Sequence, residues 1–156
     1  MVSFSPVLQV GASLLSIVVS LVSITSQDIE KAFLQNSARR LQALVEADSR
    51  LTVYLPDPLS FSDQVSPEQA FFIFQRIFRR YVTREFLIES GFYQAEPGGP
   101  LVVKARWSFA DTNNNDRFVL RVFFLLDREA SRPAAPPGRV RDGPVWKIVE
   151  IKAEKI

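Results

Sequence analysis

Acid–base chemistry needs a side chain that can hold and release a proton, and histidine is the usual choice; this sequence contains none. Cysteine is absent too, which removes disulfides, thiolate metal sites and a sulfur nucleophile. Asp, Glu, Lys and Tyr are left. Glu89 lies mid-strand in an otherwise apolar run, where burial would raise its pKa and make it a base. Phe86, Ile88 and Phe92 have the opposite parity, which favours an outward Glu89 paired with Lys104 or Arg106. Asp57 sits between two prolines and suits a turn; Asp63 precedes a helix start. The oxygen-rich run Asp111 to Asp116 is a conceivable Ca²⁺ loop, but it lacks spaced carboxylates and a closing Glu, so a plain hairpin loop is the better reading. Phosphate loops, nucleophile elbows and metal-ligand spacings are missing. No catalytic residue, cofactor or metal is assigned.

Two residue sets suit binding. Arg76, Arg79, Arg80 and Arg84, with Phe72 one turn away, form the one local charge excess, with no acid between Glu68 and Glu85. They suit an anion or a partner's acidic patch; as cations near a helix C-terminus they also suit an ordinary solvated face. Phe71, Phe74, Phe78, Trp107, Phe109 and Phe124 fall on apolar faces and are expected to wall one core, with Tyr54 as a polar handle at its rim. Such rings either interdigitate or leave a cavity for a small apolar ligand. The expectation is a filled core with at most a shallow pocket.

The elements that position these residues follow from pattern. Ser26 or Asp28 can cap a helix carrying Ile29, Ala32 and Phe33; Asn36-Ser37 stops it and starts another with Leu41, Leu44 and Val45. Leu51 to Leu55 and Leu59 to Ser62 read as a hairpin around Pro56-Asp57-Pro58. Ser66-Pro67-Glu68-Gln69 is a capping box with Pro in the first helical position, and the helix behind it runs to about Tyr81–Thr83. Four strands follow: Glu85 to Tyr93, Leu101 to Ala110, Arg117 to Asp127 and Val145 to Ala153. Trp146, Ile148 and Ile151 share a face only if the last strand bulges. The Pro-rich stretch from Glu129 to Pro144 is expected to be an excursion between paired strands. The fold class is α+β: a curved antiparallel sheet of four long strands plus a short hairpin, packed against about three N-terminal helices.

Charge sets the remaining bounds. With 19 Lys and Arg against 17 Asp and Glu, the net charge of +2 gives no electrostatic case for nucleic acid. No charged residue occurs from Met1 to Gln27, and the apolar stretch from Ala12 to Ile24 has signal-peptide length, with small residues at Ser23 and Thr25. No Lys or Arg precedes it. Residues 1–26 are therefore read as a signal peptide or N-terminal anchor, and 27–156 as one domain, secreted or periplasmic, or membrane-anchored facing outside the cytoplasm.

The order of elements resembles the nuclear transport factor two-like superfamily of cone-shaped, cystatin-like α+β domains, in particular small secreted bacterial members without assigned function. The resemblance rests on the uncharged leader before Asp28-Ile29, the Asn36-Ser37 break, Leu51 to Leu55, and the capped Gln69-Ala70 helix ending Ile77-Phe78-Arg79-Arg80-Tyr81. It rests also on Leu120 to Leu126 and on Trp146-Lys147-Ile148-Val149-Glu150-Ile151. It covers roughly residues 28 to 153 and implies a non-catalytic domain that binds a protein partner or a small apolar ligand. Alternatives are an isomerase or dehydratase using carboxylate and Tyr, and a membrane-tethered accessory domain. It also implies a homodimer through the sheet face bearing Arg121, Phe123 and Leu125, with Val149 able to join them.

Overall fold

The computed structural model describes residues 24–94, 96–128 and 146–156. The expected leader and the Pro-rich excursion fall outside these, apart from the last residues of the leader. Residues 24–34 are helical (α1). Ser26 and Asp28 therefore lie inside the helix and not at its cap, and Thr25 is fully buried. Asn36 takes φ 48° and ends this segment. Ser37 caps α2 (Ala38–Gln42), its hydroxyl accepting from the Arg40 N–H at 3.2 Å. The Asn36 side chain also accepts from the Thr83 N–H at 3.0 Å, so one residue stops a helix and ties it to the sheet.

Strands β1 (Leu51–Leu55) and β2 (Phe61–Val65) form the hairpin. Its turn is longer than expected: the N–H groups of Leu59 and Ser60 both donate to the Pro56 carbonyl, so β2 starts at Phe61. The Asp57–Pro58 bond is cis. Helix α3 (Pro67–Arg80) has both halves of the capping box, Gln69 N–H to Ser66 Oγ at 3.1 Å and Ser66 N–H to Gln69 Oε1 at 2.9 Å. It ends earlier than its periodicity implies. Tyr81 is already extended, and β3 (Tyr81–Gln94) starts with no loop between.

Strands β4 (Leu101–Asp111), β5 (Arg117–Arg128) and β6 (Trp146–Lys155) complete one curved sheet in the order β2-β1-β6-β5-β4-β3. The four long strands pair antiparallel, as expected from the sequence. The sheet as a whole is mixed, because β1 pairs parallel with β6. The bulge required of β6 is present: Leu125 faces Glu150 and Leu126 faces Ile148, so Val149 is the extra residue. Trp146, Ile148 and Ile151 are all buried as a result.

One face of the sheet carries Val103, Ala105, Trp107, Phe109, Leu120, Val122, Phe124 and Leu126, all buried. Ala70, Phe74, Ile77 and Phe78 of α3, with Ile29, Ala32 and Phe33 of α1, complete that core. The opposite face carries exposed ion pairs, Glu85–Arg106 at 3.6 Å, Glu89–Arg121 at 3.4 Å and Arg121–Glu154 at 3.7 Å. Pairs of this kind contribute about 0–1 kcal/mol each.

Candidate functional site

The interior between helices and sheet is the first place to look for chemistry. Phe33 of α1 occupies its centre, fully buried, with ring centroids at 4.5 Å from Phe86, 5.0 Å from Trp107, 5.5 Å from Phe78, 5.6 Å from Phe124 and 6.4 Å from Phe74. Its approach to Phe86 is stacked and the other four are edge-on. Phe109 continues the cluster, 4.3 Å from Trp107 and 5.6 Å from Phe118. The Trp107 Nε1–H donates to Thr83 Oγ1 at 2.9 Å in the buried interior, so each satisfies the other.

Of the expected wall residues, the structure brings together Phe74, Phe78, Trp107, Phe109 and Phe124. Phe71 packs against this core from its edge, half-buried, with its ring edge-on to Phe72 at 5.3 Å. Tyr54 does not join them. It is 47% exposed and stands on the other face of the sheet, since it alternates with the buried Val53 and Leu55. There it lines a groove of about 580 Å³ with Thr52, Ser62, Asp63, Gln64 and Lys152. Phe33 is the central residue that the sequence reading left out of the site. The spacing of Ile29, Ala32 and Phe33 placed it on an apolar helix face, but nothing local showed that α1 drives this ring into the middle of the core.

The carboxylates are placed as decisively. Glu89 is on the outer face, held by Arg121 and not by Lys104 or Arg106, and its sheet neighbours are charged. Among the described residues the buried polar side chains are Thr25, Thr83 and Asp111, so Asp111 is the buried carboxylate. It closes the β4–β5 turn. Its Oδ1 accepts from the Asn113 N–H at 2.9 Å and its Oδ2 from Arg80 at 3.2 Å. The Asn113 N–H is the main cause holding this carboxyl below the usual carboxylate range; burial opposes it, and the Arg80 hydrogen bond and charge add to the lowering. A carboxylate so held is a poor proton acceptor. Among the described residues no group of His, Cys, Asp and Glu is arranged to hold a metal ion. The turn from Asp111 to Asp116 is a hairpin organised by its own side chains.

That turn docks on the end of α3. The N–H and hydroxyl of Thr112 each donate to the Arg80 carbonyl at 2.9 Å, while the Arg80 guanidinium bonds Asp111 and lies 5.4 Å from the Tyr81 ring centroid. A groove of about 480 Å³ results, lined by Phe72, Gln75, Arg76, Arg79 and Arg80 on the helix and by Thr112 and Asn113 on the turn. Four of the five residues expected at the anion or partner surface therefore meet in one concave site. Arg84 does not line it, because it falls at the β3 bulge between Thr83 and Glu85. Phe72 is 61% exposed. Gln75, Thr112 and Asn113 are the members that sequence reasoning missed; Gln75 lies on the same helix surface as Arg76 and Arg79, whereas Thr112 and Asn113 are distant in the chain and only the β4–β5 turn brings them to α3.

No protein-family model matches the sequence and no curated protein matches it. Solved structures do resemble it. A ketosteroid isomerase-like protein from Erwinia carotovora atroseptica superposes with TM-score 0.62 at 12% identity, over 88% of this chain and 95% of that one. An NTF2-like protein from Cytophaga hutchinsonii gives 0.54 at 12%, over 88% and 97%. A domain of unknown function with a cystatin-like fold from Nostoc punctiforme gives 0.58 at 6%, over 88% and 76%. These likenesses show the fold: the chain has the cone-shaped α+β architecture of nuclear transport factor two-like proteins.

Proposed function

We propose that this protein is a non-catalytic recognition domain that meets its partner on the outside of the cone. The observation that carries this reading is the position of Phe33. Its ring takes the place where a ligand would sit between helices and sheet, with five aromatic neighbours at centroid distances of 4.5–6.4 Å. An isomerase-type reaction would need a base facing that space, and the best carboxylate candidate, Glu89, points away from it. The same ring contacts favour the protein-partner form of the reading over the small-apolar-ligand form, because rings in mutual contact leave little space for a guest. The charge-free run from Met1 to Gln27 supports work outside the cytoplasm, either freed by cleavage or tethered. Intact mass of protein from its native host separates these, and a full-length chain in the soluble cytoplasm would remove both.

Xenon under pressure tests the central claim, because it enters dry apolar cavities. Methyl and aromatic NMR signals of Ile29, Phe33, Phe74 and Trp107 should not move. Saturable shifts at these residues would show an open interior and restore the ligand-binding form.

A further inference from the structure

The arginine groove does not end at α3. A second groove of about 370 Å³ runs along the other flank of the helix, between it and the start of α2, lined by Asn36, Ser37, Ala38, Arg39, Phe71, Gln75, Phe78 and Arg79. Gln75 and Arg79 line both grooves and form the ridge between them. Among the described residues, Arg39, Arg76 and Arg79 are exposed and make no ion pair, and no Asp or Glu lines either groove. Arg80 is different: Asp111 holds its guanidinium and Thr112 its carbonyl, so it is fixed before any ligand arrives. Fixing a long side chain in advance lowers the entropy lost on binding.

We infer that this double furrow binds an extended acidic segment of a partner protein, with an apolar side chain of that segment on Phe72. The inference rests on recognition taking place outside the cone. Guanidinium forks match carboxylates in plane and in pairs. The stretch from Phe72 to Arg80 rises about 12 Å along the helix. That is the length of about four extended residues. A single small anion would use one groove and leave the other empty. A bilayer surface is flat and would not enter either groove. The exposed ring of Phe72, propped edge-on by Phe71, gives the site an apolar anchor that a purely ionic contact would not need.

The test uses the full chain and a fluorescein-labelled decapeptide of alternating Glu and Leu, followed by anisotropy. Inorganic phosphate and vesicles containing half phosphatidylglycerol serve as competing arms. The peptide should bind with an affinity that weakens as salt is raised. The Arg76→Glu, Arg79→Glu double variant should weaken it at least about tenfold with an unchanged melting temperature. Phe72→Ser should weaken it by about threefold or more. A matched Gln-Leu peptide should not bind. Absence of binding by the Glu-Leu peptide, equal binding by the Gln-Leu peptide, equal binding by the double variant, or displacement by phosphate or vesicles in place of peptide would each overturn the inference. The xenon measurement reads a different part of the molecule, so a failure here leaves the closed cone standing and a failure there leaves this result interpretable.

Discussion

Replacing Phe33 by Ala removes the ring around which the core is assembled. The side chain is fully buried and has five aromatic neighbours within 6.4 Å. Loss of its apolar area costs about 1.5–3 kcal/mol. A residual cavity on the order of 100 Å³ adds about 2.4 kcal/mol at about 24 cal/mol per Å³. The neighbours cannot collapse far, since Trp107 is tied to Thr83 and Phe78 and Phe74 are fixed on α3. The total, about 4–5 kcal/mol, is at the upper end of what Phe→Ala changes cost. For a domain of this size each kcal/mol lowers the melting temperature by about 2–4 °C, so a fall of about 8–20 °C is expected. Circular dichroism during heating, together with urea unfolding at 25 °C, measures it. Benzene should then raise the melting temperature of the variant and leave the parent unchanged, because only the variant has an apolar hole. A fall below about 3 °C, or benzene stabilisation of the parent, would refute the packing argument.

Trp107→Phe leaves the buried Thr83 hydroxyl without its partner and should cost about 1–3 kcal/mol, reduced when Thr83→Val is present; equal cost in both backgrounds would deny the coupling. Ser66→Ala breaks one half of the α3 capping box and should cost about 1 kcal/mol in urea unfolding, a loss below about 0.3 kcal/mol counting against it. The Asp111 carboxyl is held below its ordinary value, so the stability it contributes is present above about pH 4 and is lost as the pH falls through the lowered value. The stability gap between the parent and Asp111→Asn should therefore narrow on acidification, and a constant gap would refute the assignment. On the outer sheet face, Val102, Phe123 and Leu125 share a groove of about 270 Å³ with Glu150, Lys152 and Glu154; homodimerisation there should show in light scattering, and a monomer at high concentration would count against it.

Local signals were legible wherever one residue type satisfies one backbone need. Asn36 at positive φ, the Ser66–Gln69 box and the bulge between Trp146 and Ile151 follow from capping chemistry and from the period of two. The alternation of Val103 to Phe109 and of Leu120 to Leu126 marked the inner face for the same reason. What stayed hidden was long-range. Tyr54 alternates as regularly in either orientation, and only the packing of β1 beside β6 decides which face it takes. The Arg80–Asp111 link joins residues 31 apart, with no pattern to announce it. Helix α3 ends before its apolar stripe does, because Tyr81 continues the helical pattern yet is claimed by the sheet, where it pairs with Asp111.

The place of β6 has a consequence for how the chain reaches this state. It is the last strand in sequence, yet it lies inside the sheet, hydrogen-bonded to β1 on one side and β5 on the other. Until it arrives, β1 and β2 have no connection to the β3–β4–β5 meander through the ladder. A ribosome would therefore release two separate pieces of sheet, one a hairpin and the other a three-stranded unit with an open β5 edge. Such an edge is a template for pairing with another chain. Closure by β6 joins residues about one hundred positions apart, as in Thr52 beside Glu150, and non-local pairing of this kind is slow. Truncations before Trp146 would leave the two pieces unjoined, and should aggregate more readily than the intact chain.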